Sequence, residues 1–493
     1  LVPFAPDPDG RLQIGEESLY ETVPGMNAVE NSEERDGAPA TVAPEELKAL
    51  GKTALQGTVW SVGVYGAGMV LRLVSNIALS RILVPQYFGL MTLLNTMIMG
   101  LTLFSDLGLT PNIIRSPRGD EPAFLNTAWT MQVMRGVALW ICCLAMTLPF
   151  ANFYGDPQLR VLVPVIGLSL VISSFNSTAI ATLSRRMAVR ELALMELGVQ
   201  FAQLVVTIVW ALWDRSVWAL VGGRLFSDIA RLIVSFRLIP GQKNAFHWDS
   251  PAARELFMLG RWVFLSTALT FLANQSDRMV LGKLVSFQSL GMYGIAFALS
   301  DIPRQVIMTF RGYIVMPFVA KLSHLPRDIF FGHVLKYRRS VLLVGAAILA
   351  IVVVSGDLVM LKIYDVRYHD GAWIVPMLAL GLWHGILCNT TSPCLFVIGK
   401  PQNAAIGYFF SAIALLTLIP LAFFKWGMPG AVAAVAVSDV PMYFVNLYGL
   451  RRERMFPFMQ DLKMTAVFLV LTAALLALRV LAGFPLPQPV ALH

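Results

Sequence analysis

From about residue 56 to residue 483 the chain is a succession of long apolar stretches separated by short polar breaks. The run from Val341 to Val354 is representative: every position is apolar, and none alternates with a polar neighbour. A bilayer core about 30 Å thick takes roughly 20 apolar residues per helix. Membrane strands would instead show alternation over about 10 residues, so unbroken runs of this kind predict helices. Thirteen are predicted, over residues 56–80, 88–113, 124–149, 160–183, 192–213, 216–238, 256–281, 289–317, 339–363, 372–397, 404–424, 428–449 and 463–483. The fold class is an all-α polytopic membrane protein.

The pattern repeats. Ser80-Arg81-Ile82-Leu83-Val84-Pro85-Gln86-Tyr87-Phe88-Gly89 is followed 202 residues later by Gly282-Lys283-Leu284-Val285-Ser286-Phe287-Gln288-Ser289-Leu290-Gly291, and Trp60 falls on Trp262 at the same offset. Further on, Val217 to Asp228 matches Met428 to Asp439, small residues against small and Ser-Asp against Ser-Asp. Helices 1–6 and 7–12 are therefore two copies of like topology, related about the membrane normal. This construction lets two lobes rock about a central site. The expected organisation is an acidic, disordered tail over 1–50, a first six-helix lobe over 51–250, a second over 251–455, and an additional C-terminal helix and tail over 456–493.

Composition agrees: 56% of the 493 residues are hydrophobic and 14% are charged, against about a quarter charged in soluble domains. The net charge of +8 divides unevenly. Residues 1–50 hold eleven acids against Arg11, Arg35 and Lys48, a net of −8 that leaves +16 on the membrane part. The bases gather at alternate breaks, among them Arg185, Arg186 and Arg190, then Lys336, Arg338 and Arg339, then Arg451, Arg452 and Arg454. The other breaks carry few bases, such as Arg81, Arg160 and Lys283. By the positive-inside rule the amino terminus is cytoplasmic. This placement accounts for the bases without nucleic acid. Cys142, Cys143, Cys388 and Cys394 lie within predicted spans and read as packing residues. His384 has no acid or cysteine at ligand spacing and reads as a packed neutral histidine, so no catalytic or metal constellation appears. There is no nucleotide-binding loop, and the energy source is expected to be an ion gradient (H+ or Na+), the solute's own gradient, or consumption of the product.

What remains is charge inside the membrane. A charged side chain at the bilayer centre costs at least about 2.5 kcal/mol on insertion scales, and such groups usually face a bundle interior or a wet cavity. Arg72, Arg135, Arg224, Arg231, Arg278, Arg304 and Arg311 lie within predicted spans, as do Asp106, Asp228, Asp277, Asp301 and Asp439. At the 202-residue offset Arg72 falls on Asn274 and Asn76 on Arg278. Each first helix thus carries one Arg and one Asn four residues apart, on one face. Two readings stand: a shared cavity offering guanidinium groups and amides to an anionic, hydroxyl-rich solute, or arginines that pair with acids such as Asp277 and snorkel outward. Arg224, Asp228 and Arg231 share a helix face and read first as an internal ion-pair set. Cavity lining is the alternative there, and Asp301 and Arg304, three residues apart, are ambiguous in the same way. Arg311 lacks a local acid, and the partner of Arg135 is on another helix or is the solute.

The segment Arg81-Ile82-Leu83-Val84-Pro85-Gln86-Tyr87-Phe88-Gly89-Leu90, followed by Asp106-Leu107-Gly108-Leu109, resembles the opening of the polysaccharide transporter family within the MOP exporter superfamily. Asn274 to Arg278, Leu290 to Ala296 and Pro303 resemble the start of that family's second half. The likeness covers about residues 55–450. It implies a V-shaped pair of six-helix lobes in the bacterial cytoplasmic membrane, flipping polyprenyl-pyrophosphate-linked oligosaccharide for exopolysaccharide or lipopolysaccharide assembly. Glycosyltransferases and a polysaccharide polymerase or export complex are the implied neighbours, and no cofactor is implied. Arg72, Arg278, Arg304 and Arg311 are the candidates for the pyrophosphate, with Asn76 and Asn274 for sugar or phosphate oxygens. A cation-coupled drug or metabolite exporter of the same superfamily would favour a lobe carboxylate, and residues 56–80 hold none. A lipid II flippase is a close variant. A glycosyltransferase or polymerase would need a sizeable catalytic loop, and none is visible.

Overall fold

The computed structural model describes residues 44–186, 188–239, 241–322 and 325–486. Of the acidic segment over 1–50, residues 1–43 lie outside the described residues. From Pro44 the chain is already helical, so the helical boundary falls ahead of position 50. The described residues from 54 to 486 belong to one compact unit, and the unit before it is described only from Pro44.

Seventeen α-helices make up the described chain. In the first half they are α1 (Pro44–Ile82), α2 (Pro85–Leu103), α3 (Leu109–Arg115), α4 (Pro122–Tyr154), α5 (Leu159–Ser174), α6 (Ala179–Arg185), α7 (Val189–Trp213) and α8 (Val217–Ser235). The second half holds α9 (Ser250–Leu284), α10 (Phe287–Ser300), α11 (Ile302–Phe310), α12 (Met316–Leu322), α13 (Arg327–Ile363), α14 (Ile374–Val397), α15 (Gln402–Val437), α16 (Val440–Arg452) and α17 (Phe458–Leu481). A π-helical turn over Arg311–Val315 joins α11 to α12, and a 3-10 turn over Val366–Gly371 precedes α14.

Among the described residues, seven stretches are long and apolar enough to cross a membrane, or eight if the pair α5–α6, bent by 56°, counts as one. The difference from thirteen has two physical sources. The stretch Gln402–Arg452 holds two predicted spans, folded at Gly427, whose φ of 64° and ψ of −151° suit a residue without a Cβ. Four others, 88–113, 216–238, 256–281 and 289–317, are helical but polar or interrupted. Thus α2 stops at Leu103 before Gly108 (φ 58°), and α8 carries Arg224, Asp228 and Arg231. Likewise α9 carries Asp277 and Arg278, and the last segment breaks at Asp301 and again at the π turn. Helices screened from lipid by their neighbours can keep such groups, and α2, α9 and α10 occupy the seam between halves.

At that seam the repeat becomes visible as symmetry. α2 and α10 begin at equivalent positions by different local means: Pro85 sits in the first turn of α2, whereas Ser286 caps α10 by accepting from the Ser289 amide. They then cross so closely that a Cβ on Gly89 would lie 2.0 Å from the Phe287 carbonyl, and one on Gly291 would lie 1.9 Å from the Pro85 carbonyl. The contact is reciprocal between repeat-related residues, as at a two-fold axis. Gln86 Nε2 donates to Gln288 Oε1 at 3.2 Å beside it. Below, Leu90, Leu93 and Leu94 share one apolar core with Leu290, Tyr293 and Met360.

Reciprocity extends to the helix ends. The Arg81 guanidinium, at the end of α1, donates to the Ile363 carbonyl at the end of α13 (3.1 Å). Lys283, the repeat partner of Arg81, donates to the Phe153 carbonyl at the end of α4. Each cation meets exposed carbonyls of the other half's helix terminus, where cations are favoured. Tyr154 Oη adds a bond to the Met279 carbonyl and Tyr368 Oη one to that of Leu83.

The C-terminal helix is built into the second half. Arg338 of α13 pairs with Asp461 of α17 at 2.6 Å, and Arg479 of α17 grips Asp357 of α13 with two bonds of 2.7 and 2.6 Å, every partner 4% exposed or less. Between these clasps the Trp383 ring stacks on Phe468 at 4.7 Å.

Candidate functional site

Two adjoining polar cavities lie in the first half, of about 690 and 430 Å³. α7 and α8 wall them, drawn together by small residues: a Cβ on Gly223 would lie 1.9 Å from Thr207 Oγ1, and Gly222 abuts the Trp210 ring. α8 is set by Ser216, whose hydroxyl accepts from the Trp218 amide. Its charges are answered locally. Arg224 Nε pairs with Asp228 at 3.1 Å, as the i,i+4 spacing predicts, and Ser169 also donates to Asp228. Arg231 turns to Glu196 of α7 instead. Arg72 of α1 lines both cavities, its guanidinium 5.9 Å from the Tyr65 ring, and no acid pairs with it among the described residues.

The smaller cavity is lined by amides. Asn76 of α1, Asn95 of α2, and Gln200 and Gln203 of α7 all reach it. Gln200 Nε2 donates to the Gly68 carbonyl at 3.3 Å, while the side-chain amides of Asn76, Asn95 and Gln203 bond to no described protein group. Gly294, Ile295 and Ala298 of α10 supply the wall from the second half. Asn95, Gln200 and Gln203 are absent from the sequence-based set. The signal was present: Glu196, Gln200, Gln203 and Thr207 form a polar stripe at helical spacing on α7.

The second-half candidates sit in a self-contained network. Arg278 donates to the Asn274 carbonyl at 3.1 Å and to Gln275, lies 4.3 Å from the Phe297 ring centre, and stands 4.0 Å from Asp277. Asp277 in turn accepts from Tyr293. Arg304 Nε pairs with Asp301 at 2.6 Å and its far nitrogen reaches Asn274 Oδ1 at 3.4 Å. The structure therefore brings Asn274, Arg278 and Arg304 together. Arg311, at the π turn, donates to Asn389 Oδ1 at 3.1 Å and lies 6.0 Å from the Phe396 ring. One bond reaches from this network to α1, Tyr65 Oη to Gln305 Oε1 at 3.4 Å.

Other residues resolve as follows. Arg135 finds its partners on another segment: Ser105 Oγ at 3.0 Å, the Thr102 carbonyl at 3.1 Å and Asp106 at 3.8 Å. The four cysteines are free thiols. His384 does have an acid in its surroundings, because α16 brings Asp439 beside neighbouring Gly385, a contact no local spacing reveals. No cluster of three or more metal-ligating side chains occurs among the described residues.

The described residues form an all-helical bundle with one polar cavity inside the first half and a second completed by α10, and the fold is the one seen in MOP-type transporters. Solved structures agree on the fold. The lipid II flippase MurJ, in an inward closed conformation, superposes with a TM-score of 0.68 at 14% identity, over 87% of this chain and 93% of that one. An inward-facing multidrug resistance MATE family transporter of the MOP superfamily gives 0.61 at 12% identity, over 81% of this chain and 96% of the other. The profile of the family described as polysaccharide biosynthesis protein matches residues 78–370, more than half of the chain, and the protein belongs to that family. Among its relatives are the lipopolysaccharide biosynthesis protein WzxC of Escherichia coli (strain K12), 20% identical over 411 residues, or 81% of this chain and 82% of the relative. The succinoglycan biosynthesis transport protein ExoT of Rhizobium meliloti (strain 1021) is 23% identical over 283 residues, or 55% of each.

Proposed function

We propose that the chain is a flippase that carries polyprenyl-pyrophosphate-linked oligosaccharide from the inner to the outer leaflet of the bacterial cytoplasmic membrane. The observation that carries this reading is Arg72, a guanidinium without an acid partner among the described residues, at the junction of two polar cavities in a polysaccharide-biosynthesis bundle. A lipid-linked sugar pyrophosphate has an anionic, heavily hydroxylated head, which cannot cross about 30 Å of hydrocarbon unaided. Arg72 offers it charge, and the neighbouring amides offer it hydrogen bonds. Arg278, Arg304 and Arg311 are weaker candidates for direct contact because each already has protein partners.

With the amino terminus cytoplasmic, the reciprocal contacts of Arg81, Lys283, Gln86 and Gln288 close the outer end of the seam. In this reading the halves part there during alternating access, driven by an H+ or Na+ gradient or by removal of the product. Glycosyltransferases would supply the substrate, and a polymerase or export complex would consume it.

The test is leaflet translocation of a fluorescent polyprenyl-pyrophosphate oligosaccharide in proteoliposomes, with Arg72→Ala and Arg278→Ala compared at equal incorporation. The intact chain moves the probe, and Arg72→Ala abolishes movement while Arg278→Ala reduces it less. An intact chain that moves no lipid-linked glycan, whichever sugar is offered, would sink the proposal.

A further inference from the structure

The helix that begins at Gln402 folds back at Gly427, so the start of α15 and the end of α16 lie at one end of the bundle. A cavity of about 500 Å³ opens between them, and none of its lining residues lines the cavities around Arg72. We infer that this slot binds an anionic glycerophospholipid, its phosphodiester held by Arg452, Lys400 and Gln402 and one acyl chain lying between the two helices. The inference is independent of the flippase reading; only its leaflet rests on the amino terminus being cytoplasmic.

The first observation is shape. Ile406 and Phe410 stand one turn apart on α15, and Phe444 and Tyr448 one turn apart on α16. All four are exposed, between 44% and 64%, so they flank an open slot rather than a packed core. Beneath them the helices close: a Cβ on Gly449 would lie 2.9 Å from Asn403 Cγ, and one on Gly407 would lie 3.0 Å from Met442 Cγ. The volume falls within the range of about 300–1,000 Å³ found for ligand pockets. An acyl chain gains little preference here, because the tails around the bundle are as apolar as the slot. Selectivity must come from the headgroup.

The second observation is charge. Lys400 and Arg452 line the mouth, and Glu453 is the only acid among the described lining residues. Lys400 pairs with Glu453, whereas Arg452 has no ion pair among the described residues. The Lys400 hydrogen bond, together with the charges of Lys400, Arg327 and Arg452, holds Glu453 below the ordinary carboxylate value of 4.5. No acid stands in the first turn of α15, while α7, at the corresponding place in the first half, carries Glu191 there. The lining is thus left with one cation in surplus, which the single negative charge of a phosphodiester balances. Basic pockets between helices on the cytoplasmic side recognise anionic headgroups on this principle.

The third observation is depth. Tyr448 lies one turn from Arg452, and its hydroxyl bonds to no described protein group. Amphipathic rings of this kind sit at headgroup level. The Gln402 side-chain amide is likewise unbonded and offers two donor hydrogens to phosphate oxygens. In the orientation set by the charge pattern, the leaflet is the inner one.

The experiment counts phosphatidylglycerol retained by the detergent-purified full chain in native mass spectrometry. Phosphatidylcholine of the same chain length and soluble glycerol phosphate are the comparators. The intact chain retains phosphatidylglycerol over phosphatidylcholine, and glycerol phosphate does not displace it. Arg452→Gln lowers that preference roughly fivefold, the share of one base near an anionic headgroup, and Arg452→Lys largely keeps it. Glu453→Gln raises it, because Lys400 is released from its pair, and Lys400→Gln lowers it further than Arg452→Gln, because Glu453 is left facing the lipid. Arg115→Gln, at an exposed base of another break, removes the same charge and leaves the preference unchanged. Thermal midpoints equal to that of the intact chain verify folding. Equal retention of phosphatidylcholine overturns the site, as does Glu453→Gln without a gain. An Arg115→Gln effect equal to that of Arg452→Gln overturns it too, since charge anywhere would then suffice. Displacement by glycerol phosphate would assign the bases to a free phosphate, and displacement by polyprenyl phosphate at equal concentration would assign them to another lipid; either overturns the proposal.

Discussion

The two halves descend from one pattern, yet they treat charge inside the membrane differently. In the first half Arg72 faces polar space and has no acid partner among the described residues, and three amides beside it bond to no described protein group. In the second half the equivalent position is Asn274, and the guanidinium has moved one turn to Arg278, where a backbone carbonyl, Gln275 and Phe297 enclose it. The second half also carries α17, clasped to α13 by two buried ion pairs that have no counterpart in α1–α8. Two similar scaffolds thus differ in that a guanidinium of the first faces its cavities, whereas the corresponding one in the second is enclosed.

The contrast can be broken most severely at α17. Removing one member of a buried pair leaves the other charged and unpaired, so Arg479→Ala costs about 3–5 kcal/mol. It should lower the thermal midpoint sharply in detergent, and Arg479→Met combined with Asp357→Leu should recover most of the loss. A single variant as stable as the parent would show that α17 is only loosely attached.

Next comes the seam. Gly89→Ala and Gly291→Ala each place a methyl against a backbone carbonyl that cannot yield without separating α2 from α10, at about 1–3 kcal/mol. Gly66→Ala on α1 meets nothing within 4 Å and serves as the control. Equal behaviour of all three in thermal unfolding would refute the close crossing.

A smaller effect is set by pH. The hydrogen bond from Arg367 holds Asp365 below the ordinary carboxylate value of 3.8, and Arg367 also donates to the Ser80 and Arg81 carbonyls. Because the folded-state value is depressed, this stabilisation is complete above the unfolded value and disappears as pH falls through the folded one. The pair is largely exposed, so the loss is at most about 1 kcal/mol. Thermal midpoints measured from neutral pH to below 3.8 should show it, and Asp365→Asn should remove that part of the acid dependence.

The smallest effect on stability is expected where the effect on transport is largest. Arg72 is exposed and has no ion pair among the described residues, so Arg72→Ala should change stability by no more than about 0.5 kcal/mol. A large drop in thermal midpoint would assign Arg72 to structure and narrow the difference between the halves.

Much of this was legible in the chain itself. The apolar runs fix a helical membrane protein because lipid leaves backbone groups no partners outside the helix. The 202-residue repeat pointed to the seam, and Gly89 and Gly291, Gln86 and Gln288, and Arg81 and Lys283 all meet there in matched roles. Local spacing also identified the pairs Arg224–Asp228 and Arg304–Asp301, since residues three or four apart share a helix face.

Long-range partners were not legible. Arg231 chose Glu196 on α7 over Asp228 on its own face, and Arg135 chose Ser105 and Asp106. Arg338 and Arg479 found acids more than a hundred residues away. Which polar groups are consumed by such pairs, and which are left facing a cavity, follows only from how helices stack. Periodicity and charge placement are properties of single helices, and they determined the class of protein, its repeat and the inventory of intramembrane polar residues. The tertiary structure decided that Arg72 is left without an acid partner, that Arg278 is enclosed, and that Asn76, Asn95 and Gln203 converge, because the free energy of a polar group in a bundle is set by neighbours distant in sequence.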